Sequence, residues 1–450
     1  MNVVIMGAGY VGLVSGVCLA AKGHDVSCVD VDSQLVEQLK RGQPRIYEPG
    51  LVELLRDVLS SGRLAVTTNL ESALDRSDIV IIAVGTPTEN GGIDLRYVIE
   101  ASRSIGNYLK THDRYLSVIV KSTVVPGTAD TVVRSELTKA SGRKFPSFGL
   151  GANPEFLREG EAVADFMEPD RIILGYEDDR TLELLELLYS SWAVDKVRVN
   201  TRTAELIKYA NNALLATQIS TINEIANLAA TLGNIDVMDV VQGVHLDRRW
   251  SPIRGDIRTT PGILSYLMPG CGFGGSCLPK DVQALRSQGM QMGLPMHVLN
   301  AVLNVNDSQP YQVVEIIQRE IPNLASKTVM VLGLAFKPGT NDVRESASLK
   351  IVQALFEIGA HLILHDPVAM DNFKAALGAT ASSVTFVDEW TEHVAATDII
   401  IVATCWPEYK KVAQLDLTGK VLFDARRMFK PSTVNSGRYL SIGRRLSEGS

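Results

Sequence analysis

The residues best suited to chemistry lie in one glycine-rich stretch, PGCGFGGSCLPKD, at residues 269–281. Pro279 follows Cys277, and proline is well tolerated in the first turn of a helix because N–H groups there have no helical partners. We therefore expect Cys277 at a helix N-terminus, where the partial positive charge favours the thiolate. Asp281 lies one turn later on the same side. A thiol beside a carboxylate is typical of covalent catalysis, and a buried structural cysteine is the alternative.

Two further pairs of polar residues have helical spacing. Lys208 and Asn212 lie one turn apart on a long helix predicted over residues 204–232, with Gly233 as its C-cap. Lysine on a helix is usually solvated, but the neighbours of Lys208 leave no broad polar face. Glu155 and Glu159 follow a predicted strand and would share a face on a helical turn, with solvated carboxylates as the alternative.

The N-terminus carries GxGxxG as Gly7, Gly9 and Gly12, after a strand at residues 3–6 and before a small-residue helix. A second strand ends at Asp30, about 20 residues further on, which is the context of a dinucleotide-binding loop. The glycines permit a tight turn, close approach of a pyrophosphate and packing of helix on strand. An acid at position 30 accepts bonds from the ribose hydroxyls, which favours NAD over NADP.

Strand and helix signals alternate along the first part of the chain, stop near residue 201 and restart at residue 328. The pattern predicts an α/β fold with two Rossmann-like doubly wound domains, joined by a long central helix and a helical dimerisation region. The expected domains are residues 1–200, 201–310 and 311–450. The third lacks GxGxxG, so we expect it to hold its ligand differently, with Phe336, Lys337, Arg344 and Arg426 suited to a ring and phosphates.

Composition narrows the class of protein. The chain has 450 residues, 46% of them hydrophobic and 21% charged, with a net charge of −7, which speaks against a nucleic-acid partner. Its five cysteines show no CxxC spacing, so a disulfide framework or a zinc site is not expected. No apolar run approaches the roughly 20 residues of a membrane span. We expect a soluble, cytoplasmic protein without a metal and without a membrane partner.

Taken together, these motifs resemble those of the nucleotide-sugar 6-dehydrogenases, and most closely the UDP-glucose 6-dehydrogenases, with GDP-mannose dehydrogenases as near relatives. The resemblance covers almost the whole chain. It rests on GAGYVG, YEPGL, GTPT, KSTV with PGT, NPEFLREG, AELIKYANN, GFGGSCLPKD and FKPGTNDVRES.

The resemblance implies a role for each matching residue. Cys277 would be the catalytic thiol, and the other catalytic residues would be Lys208, Asn212, Asp281, Glu155 and Thr123. The residues on the NAD cofactor would be Gly7, Gly9, Tyr10, Val11, Gly12, Asp30, Thr86, Thr123, Glu159 and Arg344. The residues on the nucleotide sugar would be Glu155, Phe156, Leu157, Glu159, Lys208, Asn212, Arg249, Phe273, Gly274, Phe336, Lys337 and Arg426. Family members are homodimers or higher homo-oligomers built around the central helix.

The implied reaction is a four-electron oxidation of the sugar C6 hydroxyl to a carboxylate. The thiolate of Cys277 adds to an aldehyde to give a thiohemiacetal, which is oxidised to a thioester and hydrolysed. Lys208 and Asn212 stabilise the developing alkoxide, and Glu155 or Asp281 moves protons through a water.

The chain departs from the family pattern beside Arg249, where Trp250 and Ser251 replace Ile and Gly, and residues 251–268 form a longer loop. This loop either changes the selectivity for the nucleotide sugar or is a neutral insertion. GDP-mannose and an N-acetylated UDP-hexosamine are therefore alternative substrates. A binding-only sensor and a two-electron dehydrogenase are further alternatives, against which the retained Cys277, Lys208 and Asn212 speak.

Overall fold

A computed structural model describes residues 1–89 and 91–445 of the chain. The chain folds as two compact units, one from Met1 to Asn211 and one that begins at Asn212. The predicted boundaries after residues 200 and 310 stay a prediction.

The described residues of the first unit, 1–89 and 91–211, contain ten strands and the start of a long helix. Its strands are β1 (Asn2–Met6), β2 (Asp25–Val29), β3 (Leu64–Thr67), β4 (Ile79–Ile82), β5 (Thr88–Glu89), β6 (Gly92–Ile93), β7 (Ser117–Val120), β8 (Gly149–Ala152), β9 (Arg171–Tyr176) and β10 (Asp195–Val199). Its helices are α1 (Tyr10–Ala21), α2 (Ser33–Lys40), α3 (Leu51–Ser60), α4 (Leu70–Leu74), α5 (Arg96–Thr111), α6 (Arg134–Ser141), α7 (Ala162–Met167), α8 (Asp179–Leu188) and α9 (Thr201–Leu232). A π-helix at Thr128–Val133 precedes α6.

Eight of these strands form one sheet in the order β10-β9-β8-β7-β4-β1-β2-β3. Every pairing is parallel except that of β8 with β9. Strand β4 is buried along its length, and alternate residues belong to different hydrophobic clusters, with Ile79 and Ile81 in one and Val80 and Ile82 in the other. Since successive side chains of a strand point to opposite faces, the sheet is covered on both sides.

The position of β1 decides where ligands bind in this sheet. Strand β1 lies between β2 and β4, so the strand order reverses there. In doubly wound folds, ligands bind beyond the carboxyl ends of the strands at such a reversal. The predicted dinucleotide loop begins at Gly7, directly after β1.

The second unit continues α9 and adds a second sheet. Its strands are β11 (Ile235–Asp236), β12 (Ile253–Arg254), β13 (Ile257–Arg258), β14 (Thr328–Leu332), β15 (His361–His365), β16 (Thr385–Phe386), β17 (Ile399–Val402), β18 (Val421–Asp424), β19 (Arg438–Ser441) and β20 (Arg444–Arg445). Its helices are α10 (Val237–His245), α11 (Leu278–Gln291), α12 (His297–Glu320), α13 (Ala347–Ile358) and α14 (Met370–Leu377). Short 3₁₀-helices lie at Gly262–Tyr266, Leu324–Ser326, Gly378–Ser383, Trp390–Ala396, Pro407–Gln414 and Pro431–Thr433.

The second sheet has the order β11-β20-β19-β18-β17-β14-β15-β16 and is parallel from β16 to β19. Strand β14 lies between β15 and β17, as β1 lies between β2 and β4. Two parallel-dominated α/β sheets confirm the predicted fold class, whereas the dimerisation region stays a prediction.

The acid at the end of β15 is bound differently from its counterpart in the first unit. Asp366 is 1% exposed, and its carboxylate accepts backbone N–H groups of the same unit. The donors are Leu334 (2.7 Å), Ala335 (3.0 Å), Val368 (3.0 Å) and Ala369 (2.9 Å), joined by the Trp406 indole N–H at 3.1 Å.

Helix α9 begins three residues before its predicted start at residue 204. Asn200 caps it, since its Oδ1 accepts the N–H of Thr203 at 2.8 Å, and such a side-chain cap satisfies an N–H that the first turn leaves open. At the other end Gly233 has a φ of +74°, which confirms the predicted C-cap. Within residues 1–89 and 91–445, no helix is long and apolar enough to cross a membrane.

Candidate active site

The glycine loop after β1 has the shape that a dinucleotide requires. Gly7 has a φ of +97°, which L-residues with side chains rarely adopt. A Cβ on Gly12 would lie 1.9 Å from the carbonyl oxygen of Gly7, so the third glycine allows α1 to pack on the turn. A Cβ on Gly9 would meet no atom within 4 Å, so the space beside the second glycine is open.

Asp30 closes this loop at the end of β2. Its Oδ2 accepts the N–H of Ala8 at 2.7 Å, and its Oδ1 accepts the N–H of Asp32 at 3.0 Å. A carboxylate accepts about four bonds, so lone pairs remain for ribose hydroxyls. Gly9 caps α1 without a side-chain hydrogen bond, and the space beside it is open at the helix start, where a pyrophosphate would bind. The residues present therefore fit NAD.

The ends of β4 and β7 bring two predicted residues together. The Thr86 hydroxyl donates to the carbonyl oxygen of Thr123 at 2.9 Å. The neighbouring Ser122 hydroxyl donates to the carbonyl of Val84 at 2.7 Å. These bonds fix the two loops at the edge of the sheet where the dinucleotide loop lies.

Glu155 and Lys208 form a buried ion pair. Their Oε1 and Nζ are 2.9 Å apart, and the two residues are 6% and 3% exposed. Burial alone would raise the pKa of Glu155, but the charge and hydrogen bond of Lys208, with the N–H of Leu157 at 2.6 Å, hold the pKa below its ordinary value. The Lys208 ammonium also lies 5.4 Å from the ring centroid of Phe156. Glu155 is therefore an ionised carboxylate in a dry setting.

The expectation that Glu155 and Glu159 share a helical face is wrong. Residues 153–158 form no helix or strand, and the Glu155 carboxylate instead accepts the N–H of Leu157, two residues later, at 2.6 Å. The alternative of solvated carboxylates is also excluded, because Glu159 is only 7% exposed.

Cys277 is the N-cap of α11, as predicted, with Pro279 in the first turn. The N–H of Asp281 donates to the carbonyl of Cys277 at 2.9 Å, which closes that turn. The thiol is half-buried, and the Ser276 hydroxyl lies 3.5 Å from its Sγ. Cys277 is thus a reachable thiol at a helix start, and the alternative of a buried structural cysteine does not hold.

Asp281 is a buried carboxylate, 1% exposed, with a donor on each oxygen. The Asn212 Nδ2 donates to Oδ2 at 2.7 Å, and the Lys280 Nζ donates to Oδ1 at 2.7 Å. The predicted grouping of Asn212 with Asp281 is therefore present. Lys208 lies one turn before Asn212 on the same helix.

The segment that leads to Cys277 packs on the loops that follow β14 and β18. A Cβ on Gly275 would lie 2.7 Å from the Phe336 ring, and the Gly275 N–H donates to the carbonyl of Arg344 at 2.9 Å. A Cβ on Gly274 would lie 2.2 Å from the carbonyl of Glu345. Glycine is therefore required at both positions.

Arg426 is engaged with the backbone. Its guanidinium donates to the carbonyls of Ala403 and Gly272, each at 2.8 Å. Phe273 is 8% exposed and packs in a core cluster with Ala213 and Val282. Arg426 and Phe273 thus hold the cysteine segment in place.

Of the remaining cationic residues of the prediction, Arg249 and Arg344 are exposed and Lys337 is half-buried. Arg249 pairs with Asp247 at 2.7 Å with 86% of its side chain exposed, and Arg344 pairs with Asp342 at 2.8 Å with 66% exposed. The Lys337 ammonium lies 6.0 Å from the ring centroid of Phe336. The long loop that follows Arg249 contains the β12–β13 hairpin and a 3₁₀-helix.

Three buried charged residues in or beside the quoted motifs were not among the predicted site residues. Glu48 accepts the N–H groups of Gly160 and Ala162, both at 2.7 Å, and the hydroxyl of Tyr10. It links the dinucleotide helix to the segment that bears Glu159, and its place in the YEPGL motif was the available signal.

The other two are Lys121 and Glu205. The Lys121 ammonium donates to the Asn153 Oδ1 at 2.8 Å, and burial lowers its pKa to about 8. Glu205 accepts the N–H groups of Gly127 and Ala129 at 2.6 and 2.9 Å, and burial raises its pKa to about 7. Lys121 belongs to the KSTV motif and Glu205 to AELIKYANN, but the site residues predicted from these motifs were Thr123, Lys208 and Asn212.

Comparison with known proteins identifies the family. The chain matches the models of the UDP-glucose/GDP-mannose dehydrogenase family for the NAD binding domain over residues 1–193, the central domain over residues 202–308 and the UDP binding domain over residues 330–431. It is 38% identical to UDP-glucose 6-dehydrogenase TuaD of Bacillus subtilis, over 100% of this chain and 94% of that protein.

Two solved structures are similar over nearly their whole length. A UDP-glucose dehydrogenase from the hyperthermophilic archaeon Pyrobaculum islandicum has a TM-score of 0.89 and 40% identity, covering 98% of this chain and 97% of that one. A UDP-D-ManNAc dehydrogenase from Pyrococcus horikoshii has a TM-score of 0.80 and 27% identity, covering 99% of each. With its dinucleotide loop, helix-capping thiol and three matching domains, the chain belongs to the UDP-glucose/GDP-mannose dehydrogenase family and is an NAD-dependent dehydrogenase.

Proposed function

We propose that this enzyme oxidises the C6 hydroxyl of UDP-glucose to a carboxylate through a covalent adduct on Cys277. The observation that carries the proposal is the half-buried Cys277 at the start of α11, one turn before the buried Asp281. NAD, when bound, supplies the hydride acceptor for both oxidations.

Each chemical step of the proposed reaction requires a functional group that one of the candidate residues supplies. The Cys277 thiolate adds to the C6 aldehyde and forms a thiohemiacetal, whose oxidation leaves a thioester. A thiolate at a helix start is stabilised by the partial positive charge there, and sulfur is a good enough leaving group for the hydrolysis that follows. The cation of Lys208 and the amide of Asn212 stabilise the oxyanion that develops at C6.

We assign different proton transfers to the two buried carboxylates, Asp281 and Glu155. Asp281 follows Cys277 by one turn and handles the protons of the thiol steps. Glu155, which Lys208 keeps ionised, activates the water that hydrolyses the thioester. Each carboxylate has a hydrogen-bonded donor that holds its orientation.

UDP-glucose is the favoured substrate because relatives of 38% and 40% identity carry that name, whereas the UDP-D-ManNAc dehydrogenase is 27% identical. An N-acetylated UDP-hexosamine and GDP-mannose are the alternatives. The segment at residues 251–268 is the place in this chain where such selectivity would differ.

The test is to count NADH formed per UDP-glucose consumed by the purified enzyme with NAD in excess. We expect two per sugar with a uronic acid as product. The matched variant Cys277→Ser should form no acid, because a serine hydroxyl is far less nucleophilic at neutral pH. One NADH per sugar, or a fully active serine variant, would refute the thiol mechanism. If UDP-glucose gives no NADH, the same assay is repeated with UDP-ManNAc and GDP-mannose as substrates.

We further propose that the partner of this chain is a second copy of itself. Helix α9 carries an exposed apolar stripe of Leu214, Ile225, Leu228 and Leu232, which are 65%, 40%, 57% and 67% exposed. These residues repeat at helical spacing on one face, and a single stripe that pairs with itself suits a two-fold axis. The exposed stripe supports a homodimer built on α9.

A further inference from the structure

Buried amide side chains from α9 and α12 hold the segment that leads to Cys277. The Asn223 Oδ1 accepts the N–H of Gly270 at 2.8 Å, and the Gln309 Nε2 donates to the carbonyl of the same glycine at 2.9 Å. The Asn306 Oδ1 accepts the N–H of Phe273 at 2.8 Å, and its Nδ2 donates to the carbonyl of Phe273 at 3.0 Å. These amides are 0%, 0% and 9% exposed.

In the cysteine segment, side chains supply the hydrogen-bond partners that a sheet or a helix would otherwise give to the backbone. Residues 267–277 contain no strand or helix, so their buried N–H and C=O groups require other partners. Asn306 satisfies both groups of Phe273 with one carboxamide, which fixes the position and the orientation of that peptide.

The cysteine segment contacts α12 beside Asn306. Pro310 lies inside α12, one turn after Asn306, and has no N–H to donate to the Asn306 carbonyl. Gly272 passes this point with a φ of +89°, and a Cβ there would lie 2.7 Å from the Asn306 Oδ1. The cysteine segment therefore lies directly against the helix at the residue that holds it.

The backbone is anchored both before and after Cys277. Before it, the chain is bonded at Gly270, Gly272, Phe273 and Gly275. After it, α11 begins at Leu278. Few torsions between these anchors are left to place the Cys277 Sγ.

We propose that Asn306 is a positioning residue for the Cys277 thiol, holding the peptide of Phe273 so that the thiol reaches the C6 aldehyde. This inference rests on the proposed function. The first oxidation, from alcohol to aldehyde, needs no thiol, whereas the thiohemiacetal step does. A residue that positions the thiol therefore affects the second oxidation, whereas a residue that only supports the fold affects both.

The test is the Asn306→Asp variant. The new carboxylate has the same shape and still accepts the N–H of Phe273, but it has no hydrogen to donate to the Phe273 carbonyl. We expect the first NADH per site in rapid mixing, and the KM for UDP-glucose, to stay within about twofold of the wild type. The second NADH should form about 10- to 100-fold more slowly, as for a reacting group misplaced by about 1 Å. Hydroxylamine should then trap a UDP-sugar aldehyde.

The matched control is Asn300→Asp on the same helix. The Asn300 Nδ2 donates to the carbonyl of Pro295 at 2.9 Å, away from the cysteine segment. We expect this variant to keep both oxidations at the wild-type rate and to release no aldehyde.

A second measurement does not depend on turnover. Alkylation of Cys277 by iodoacetamide, followed by mass spectrometry of its peptide without substrate, should be at least about fivefold faster in Asn306→Asp, because local opening of the segment exposes the thiol. If Asn306→Asp does not fold, Asn306→Ser serves for both measurements.

The outcomes separate this inference from the proposed function. If Asn306→Asp is alkylated faster than the wild type but the wild type makes no uronic acid, the proposed function is refuted and the positioning is supported. If Asn306→Asp is alkylated at the wild-type rate and releases no more aldehyde than the wild type, the positioning role is refuted. Equal slowing of both oxidations with a raised KM would also refute it, and would assign Asn306 to the fold alone.

Discussion

Asn212 on α9 donates its side-chain N–H to the Oδ2 of Asp281 on α11 at 2.7 Å, and both residues are buried. The pair joins the long helix to the helix that Cys277 caps. With an amide on one oxygen and the Lys280 ammonium on the other, this buried carboxylate is held in one orientation, as the proposed proton transfer requires.

Asp281→Asn should lower kcat by about 10²- to 10⁴-fold, the usual contribution of a general acid or base, because an amide neither takes up nor releases a proton. Steady-state assays at several pH values measure this. Asp307→Asn is the control, since Asp307 is an exposed acid paired with Lys350. An Asp281→Asn enzyme within tenfold of the wild type would contradict the role of Asp281.

Lys208→Met should destabilise the protein by about 3–5 kcal/mol at neutral pH, because it leaves the buried Glu155 charge without its partner. Adding Glu155→Gln should recover much of that loss. Urea unfolding of both single variants and the double variant gives the coupling free energy. Additive single effects would show that the two residues are not coupled.

Gly9→Ala and Gly12→Ala should differ in their effects on NAD affinity and on thermal stability. A methyl group on Gly9 meets no atom within 4 Å, so Gly9→Ala should keep its melting temperature and lose NAD affinity. A methyl group on Gly12 meets the Gly7 carbonyl at 1.9 Å, so Gly12→Ala should lose stability as well. Calorimetric NAD titration and thermal melts distinguish them. Unchanged NAD binding by Gly9→Ala would place the pyrophosphate elsewhere.

Stability should fall as pH rises through about 7, in part because of Glu205. Burial raises its pKa from 4.5 to about 7 in the folded state, so its protonated form is favoured by folding. That contribution is complete below the unfolded pKa and is lost as pH rises through the folded one, up to about 3 kcal/mol in total. Urea unfolding between about pH 5 and pH 8 should show a flatter profile for Glu205→Gln than for the wild type. Parallel profiles would contradict the assignment.

Leu228→Glu should convert the proposed dimer to a monomer, because a charge at the centre of the α9 stripe is buried against its own copy. Light scattering after size exclusion measures the mass. Leu187→Glu is the matched control, an exposed leucine of α8 at 54%. A dimer that persists in Leu228→Glu would place the interface on another surface.

Local patterns were sufficient to predict the fold class and several site residues. The strand, glycine loop and acid around Gly7 and Asp30 are contiguous signals, and Pro279 marks the helix that Cys277 caps. The pairing of Asn212 with Asp281 was also predicted, but through the resemblance to a known family and not through spacing.

Long-range contacts could not be predicted in the same way. Glu48 bonds the backbone at Gly160, more than a hundred residues away, and Asn306 bonds that of Phe273. Neither spacing nor composition indicates which backbone groups are left without partners after folding. The roles of the site residues, the oligomeric state and the cytoplasmic location stay predictions.

Seven strands of each sheet share one order, from β9 to β3 and from β20 to β16, yet the acids that follow β2 and β15 differ in what they bind. Asp30 accepts two backbone N–H groups and is only partly buried, whereas Asp366 is buried and accepts four together with the Trp406 indole. An acid saturated by its own chain has no lone pair left for a ribose. The enzyme should therefore saturate at a single dinucleotide per polypeptide, despite its two copies of a dinucleotide-binding topology.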